Sequence, residues 1–247
     1  MPKVAIIIPG AGKGERFGGS ERKTLAKLDG RPVFLRSIEH FVNRDDVCQI
    51  VLAVGGSDVA EVKQKYAANL SFMGVALVEG GDRRLDSVAA ALEKVSDDAE
   101  LIAIHDAVRP CVTTRMIDDV FAAAGKTGAA ILAAPLVGTL KRVSDSGVID
   151  ETVPRTRLYE AQTPQVFRRD VILAAYENAP TDDETTEITD DAQLVELSGH
   201  PVSIVESDPT NLKITTKADM ALANAILKAR PSAKPTKSLG AFEEAQW

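Results

Sequence analysis

Short apolar runs at residues 4–8, 50–54, 75–78, 101–104, 129–134 and 202–205 alternate with stretches of helical periodicity near 33–43, 58–68, 84–95, 115–125, 169–178, 189–197 and 216–229. Runs of that length, rich in aliphatic residues, suit strands buried on both faces. Strands that alternate with helices pair in parallel, because a crossover helix carries the chain back to the edge where the previous strand began. The predicted fold is α/β: a Rossmann-like, mainly parallel sheet with helices on both faces. Ser57 and Thr189 read as helix caps, and Thr216 with Asp219 three residues on reads as a capping box. In such sheets ligands bind beyond the carboxyl ends of the strands, so the text after 4–8 and after 101–104 is where chemistry is expected.

After the first run comes Pro9-Gly10-Ala11-Gly12-Lys13-Gly14-Glu15-Arg16-Phe17-Gly18-Gly19, with Lys23 just beyond. Glycines let a backbone turn tightly and bring N–H groups against a polyanion, and embedded cations fit nucleotide phosphates undergoing reaction. No window supplies the Walker A spacing, which argues against a P-loop NTPase. The dinucleotide fingerprint fails too, because Glu15 stands where its third glycine belongs, an anion close to the pyrophosphate. Two readings stay open on the loop alone: a phosphate cradle of another kind, or a glycine-rich turn with exposed charges.

Composition narrows the classes. The chain has 247 residues, 45% hydrophobic and 26% charged, the profile of an ordinary globular protein long enough for a full core. Residues 1–230 are expected to form a single domain. The net charge of −7 argues against a general nucleic-acid binder, so an anionic substrate must be met by local Arg and Lys clusters. Cys48 and Cys111 form no C-x-x-C pair, which leaves a disulfide framework or thiolate zinc site without support and makes a reducing cytoplasm the expected setting. The first apolar stretch is too short for a signal-peptide core, and no run approaches a membrane span. Residues 231–247 mix Pro, Ser, Lys and Gly without periodicity and read as a disordered tail.

One stretch breaks the rhythm. Residues 138–158 alternate apolar and polar side chains around a Ser146-Gly147 turn, the pattern of a projecting β-hairpin arm. A lone hairpin is marginal in water, so the arm is expected either to pack on a second subunit of a homodimer or to fold back on its own domain.

Four further texts carry candidate chemistry. His105-Asp106-Ala107-Val108-Arg109-Pro110 follows the 101–104 run. A carboxylate at a strand end suits Mg²⁺ or another divalent cation, which takes one or two carboxylates plus substrate phosphates; Arg109 suits a bidentate phosphate clamp. The alternative is a turn in which Asp106 and Arg109 pair with each other. His105 invites a general-base role, but a single His more often orients a loop, and His40 and His200 show no metal-ligand spacing with it. Gly80-Gly81-Asp82-Arg83-Arg84-Leu85-Asp86-Ser87-Val88 offers backbone amides and a hydroxyl to a base or ribose. Arg155 precedes Thr163 in Gln162-Thr163-Pro164-Gln165, and Lys213 lies in Asn211-Leu212-Lys213-Ile214-Thr215 before the last helix.

In this order the texts are no longer generic. The chain resembles the 2-C-methyl-D-erythritol 4-phosphate cytidylyltransferases of the non-mevalonate isoprenoid pathway over roughly residues 3–228. That resemblance implies transfer of CMP from CTP to a polyol phosphate with release of pyrophosphate. It implies that Arg16 and Lys23 stabilise charge on the triphosphate, that Asp106 holds the metal, and that Lys213 positions the reacting phosphates. Pro9, Gly10, Ala11, Gly12, Gly14, Gly81, Asp82 and Ser87 match the nucleotide pocket. Arg109, Thr139, Arg155 and Thr163 match positions that hold the polyol phosphate, and in the family the arm crosses to the other subunit, which places Arg155 at the partner's active site. Two departures stand out: Gly10 replaces the family's usual Ala, and Arg22-Lys23-Thr24 replaces Pro-Lys-Gln, which removes a backbone restraint without removing the cation. A ribitol-5-phosphate cytidylyltransferase is the nearest rival. A glycosyltransferase would be expected to show an Asp-x-Asp triplet, which is absent, and a non-catalytic nucleotide sensor would have little need of the set Arg16, Lys23, Asp106 and Lys213.

Overall fold

Strand β1 (Val4–Pro9) is buried along its whole length. Val4, Ile6 and Ile8 enter one apolar cluster, and Ala5 and Ile7 enter another. A period of two with both faces apolar is the mark of a central strand covered on both sides. The computed structural model describes residues 1–10, 17, 24–81, 83–180 and 188–230. Ala11, Gly12, Gly14, Arg16, Lys23 and Asp82, and the tail at 231–247, lie outside the described residues.

The short strands β2 (Lys27–Leu28) and β3 (Arg31–Pro32) precede α1 (Val33–Glu39), β4 (Val47–Gly55) and α2 (Gly56–Phe72). Then come β5 (Val75–Gly80), α3 (Arg84–Leu92), β6 (Leu101–Ile104), α4 (Thr114–Thr127) and β7 (Ala129–Pro135). A hairpin of β8 (Leu140–Val143) and β9 (Ile149–Val153) leads to β10 (Tyr159–Arg168), followed by α5 (Arg169–Glu177), α6 (Asp191–Leu197), β11 (Ser203–Glu206) and α7 (Lys217–Ala229). The main sheet has seven strands in the order β11-β7-β10-β6-β1-β4-β5. It is parallel apart from β10, which runs antiparallel to both β6 and β7. Helices α1, α2 and α4 cover one face through Phe34, Ile38, Val62, Ile117 and Phe121. Helices α3, α5 and α6 cover the other through Val88, Leu92, Ile172 and Val195. The mainly parallel sheet with helices on both faces is therefore the observed fold.

Some local expectations need correction. Strand β10 carries no separate signal in the apolar pattern, because its first three residues are exposed and only the next six are buried. Helix α2 has no side-chain cap at Gly55, and Ser57 instead donates to Asp58 inside the helix. Helix α6 is capped by Asp190, whose carboxylate accepts from the Gln193 amide, while the Thr189 hydroxyl donates to the Gln193 side chain. A carboxylate at the N-cap meets both the free amides and the positive end of the helix, which a hydroxyl one residue earlier cannot reach. The capping box of Thr216 and Asp219 on α7 forms as expected. The hairpin at 140–153 is present as its own two-stranded sheet, turning at Gly147 with φ +80°.

Candidate active site

The carboxyl ends of β1, β5 and β6 lie along one edge of the sheet, and the segment after β6 is fastened there. The His105 amide donates to the Ile7 carbonyl at 2.9 Å, and the Ile214 amide donates to the Val108 carbonyl at 2.9 Å. Asp106 is only 5% exposed and sits among three cations. Lys213 Nζ lies 2.9 Å from Oδ2, Arg109 Nε 3.3 Å from Oδ2, and Arg84 Nε 3.5 Å from Oδ1. Burial alone would raise the Asp106 carboxyl, but Lys213, Arg84 and Arg109 outweigh it and hold the group well below the usual carboxylate range. The arrangement is one fixed anion inside a cationic pocket at a strand end.

His105 supports that anion rather than competing with it. It is fully buried, and desolvation is the main reason its pKa falls to about 3. Its Nε2 lies 3.1 Å from the Arg109 carbonyl, and its Nδ1 lies 3.1 Å from the Thr163 hydroxyl. A neutral ring satisfies both contacts if Nε2–H donates to the carbonyl and the hydroxyl donates to Nδ1. The same Thr163 oxygen accepts the Asp106 amide at 3.0 Å. His105 thus orients the 105–109 loop, the role the sequence favours for it.

Arg109 and Thr163, matched by resemblance to the acceptor phosphate, are both buried. Arg109 donates from Nη1 to the Asn211 carbonyl at 2.7 Å and from Nη2 to the Ala161 carbonyl at 3.4 Å. With Nε on Asp106, each of the three guanidinium nitrogens has a protein acceptor, which fixes the plane of the side chain while using three of its five N–H groups. Asn211 is held in turn by the Gln162 side chain and the Thr163 carbonyl, both at 3.0 Å, which sets the segment carrying Lys213 against β10.

The turn after β5 owes its shape to glycine. A Cβ on Gly80 would come within 2.5 Å of Ser87 Oγ, and one on Gly81 within 2.4 Å of Asp86 Cβ. Ser87 is buried and donates to the carbonyls of Gly81 and Arg83 at 3.2 and 3.1 Å, binding the turn to the first turn of α3. Pro9 is buried at the end of β1, and the Gly10 amide donates to the Ala53 carbonyl at 2.7 Å. Thr139 and Arg155 lie at the base of the arm, both exposed; Arg155 donates to the Val137 carbonyl.

The structure adds residues that the sequence did not single out. Arg84, the first residue of α3, lies between Asp106 and the buried Asp191 of α6, with Nη2 2.6 Å from Asp191 Oδ2. Tyr176 on α5 donates to the other Asp191 oxygen at 2.6 Å. Asp190-Asp191 before an apolar stretch carries a cap signal and nothing more, because its partner is distant in sequence.

Among the described residues no group of three or more His, Cys, Asp or Glu side chains could hold a metal ion. Asp106 offers a single hard oxygen donor set, which suits Mg²⁺ where nucleotide phosphates and water complete the shell. The surrounding cations disfavour a bare dication and favour one arriving with a polyanion. No described helix is long and apolar enough to cross a membrane.

The family model for 2-C-methyl-D-erythritol 4-phosphate cytidylyltransferase matches residues 4–229. A protein of that name from Rhodopirellula baltica is 47% identical over 235 residues, covering 91% of this chain and 94% of its own length. One from Alkaliphilus oremlandii is 38% identical, covering 93% and 97%. Among solved structures, the 2-C-methyl-D-erythritol 4-phosphate cytidylyltransferase of Thermus thermophilus is 30% identical with a TM-score of 0.75, covering 92% of this chain and 99% of that one. The 4-diphosphocytidyl-2C-methyl-D-erythritol synthase of Anaerococcus prevotii is 27% identical with a TM-score of 0.77, covering 92% and 96%.

Proposed function

The chain belongs to the 2-C-methyl-D-erythritol 4-phosphate cytidylyltransferase family, and from that premise we propose how its residues divide the work of transferring CMP from CTP to 2-C-methyl-D-erythritol 4-phosphate in isoprenoid-precursor synthesis. A phosphate oxygen of the acceptor attacks the α-phosphorus of CTP; the new P–O bond forms as the bond to pyrophosphate breaks. No protein nucleophile is needed, so the protein contributes position and charge. The observation that carries the reading is the convergence of Lys213, Arg109 and Arg84 on the buried Asp106 beyond β6.

Lys213 reaches the triphosphate from the last loop, and Arg16 and Lys23 of the glycine segment add their charge to the same group. The turn at Gly80–Gly81, with Pro9 and Gly10, shapes the cytidine pocket. Asp106 holds Mg²⁺ together with the nucleotide, and the ion supplies further neutralisation of the phosphates. Arg109 and Thr163 fix the loop that presents Asp106 to the nucleotide, on the side where the acceptor phosphate binds.

The arm completes the site in a homodimer. Val143, Val148 and Ile149 on it, and Val137 just before it, are more than half exposed, an apolar set that a second copy would cover. Thr139 and Arg155 then reach the partner's acceptor pocket. Residues 1–230 work as one nucleotidyltransferase unit in a reducing cytoplasm, which suits the free thiols of Cys48 and Cys111. The names of the relatives favour methylerythritol phosphate over ribitol 5-phosphate. Pyrophosphate release measured with each of four nucleotides and both acceptors tests this: turnover is expected with CTP and methylerythritol phosphate, and a preference for ribitol phosphate would overturn the assignment.

A further inference from the structure

Asp191 is a wholly buried carboxylate on α6 that none of the roles above uses. Its two oxygens face two other helices: Oδ2 forms an ion pair with Arg84 Nη2 at 2.6 Å, without hydrogen-bond geometry, and Oδ1 accepts from the Tyr176 hydroxyl at 2.6 Å. Burial and the Asp191 charge push the Tyr176 phenol above its ordinary range, so it stays protonated as the donor. Asp190 beside it accepts from Gln165 of β10 at 2.8 Å, and Gln165 accepts the Ala192 amide at 3.0 Å. The start of α6 is therefore anchored to α3, α5 and the antiparallel strand. A buried charge held this firmly fixes whatever it grips, and it grips Arg84.

Arg84 opens α3 directly after the turn of Gly80 and Gly81, and its Nε lies 3.5 Å from Asp106 Oδ1. Lys213 and Arg109 both hold the other oxygen, Oδ2. With Nη2 on Asp191 and Nε towards Asp106, the guanidinium spans two carboxylates on different elements, a geometry that the planar Arg fork allows and the point charge of Lys does not reproduce. We propose that Arg84, locked by Asp191, is a positioning residue for CMP transfer: it sets the Oδ1 side of Asp106 and ties that carboxylate to the nucleotide-facing turn. The proposal rests on the reading that Asp106 faces the triphosphate.

Outer partners of this kind typically change activity by about 10- to 100-fold when removed. The test compares Asp191→Asn, the charge-balanced double variant Arg84→Gln/Asp191→Asn, Arg84→Lys and Asp106→Asn, each checked for a cooperative melt. The double variant removes both charges, so no unpaired buried ion is left to unfold it. Expected is a kcat about 10-fold or more below the parent for Asp191→Asn and for the double variant, with KM for CTP within about twofold, and partial recovery in Arg84→Lys. Folded variants at parental kcat beside a slowed Asp106→Asn overturn the positioning role alone. Parental turnover in Asp106→Asn overturns the reading of Asp106, and the proposal with it.

Discussion

Among the described residues Lys213 is the cation nearest Asp106 and, unlike Arg109, it is partly exposed, 36% against 6% for the side chain. Its loss should therefore affect rate more than fold. Lys213→Ala is expected to lower kcat about 10²-fold or more with little change in melting temperature, the effect of removing one preorganised charge from a developing anion. Lys23→Ala, in the glycine segment, is expected to act in the same way; unchanged turnover in either would remove that residue from the mechanism. His105 makes a prediction about stability. Its folded-state pKa of about 3 lies below the unfolded value, so between the two the unfolded chain binds the extra proton. The stability from keeping the ring neutral is complete above about pH 6.5 and is lost as pH falls toward 3, at about 1.4 kcal/mol per unit. His40, lowered chiefly by burial, adds to the loss. Asp106 works in the same sense, but only below the ordinary carboxylate range, so denaturant midpoints at about pH 7 and about pH 5 compare chiefly the histidines, with Glu39, whose carboxyl is raised by burial, acting in the opposite sense. A lower midpoint at the acid value is expected, and an unchanged one would rule out buried neutral histidines.

The β8–β9 hairpin is the element with least support of its own. Nearly all of it is exposed, and its strands pair only with each other. Charges placed on it should spare the core and break whatever covers it. Val148→Asp with Ile149→Asp is expected to give a folded monomer by light scattering, with turnover reduced because Arg155 no longer reaches a partner; a dimer of parental activity would show that the arm serves neither purpose. Strand β10 presents the opposite case. It pairs with β6 and β7 in the middle of the sheet, yet the alternation of apolar runs passes over it. A strand whose exposed start leads out of an arm has no period to distinguish it from the arm, and only the partners on each side define it. The caps divide along the same line. Thr216 and Asp219 close a local box that can be read from spacing, whereas the choice of Asp190 over Thr189 depends on where α6 meets Gln165.

Across the molecule, one edge of the sheet gathers the ends of β1, β5 and β6 with the loop carrying Lys213. Among the described residues the cluster there sets the single carboxylate of Asp106 against Lys213, Arg109 and Arg84, so the free protein should bind Mg²⁺ weakly and bind it well only with nucleotide. Titration calorimetry is expected to show little heat with Mg²⁺ alone and clear binding with Mg²⁺ and CTP together; tight binding of the bare ion would contradict the single-carboxylate site. The alternation of strands and helices, the arm, the glycine turns and the texts around Asp106 and Lys213 are legible in the sequence, because each is written in neighbouring residues whose period or spacing carries its physical meaning. Tertiary structure decided what contiguous text does not contain. It set β10 between β6 and β7, turned Arg109, Thr163 and His105 inward as supports of one loop, and brought Arg84 and Asp191 together. Those contacts join residues far apart in the chain, and the energy that selects them comes from burying charge with a partner, a condition that exists only once the sheet and its helices have closed around it.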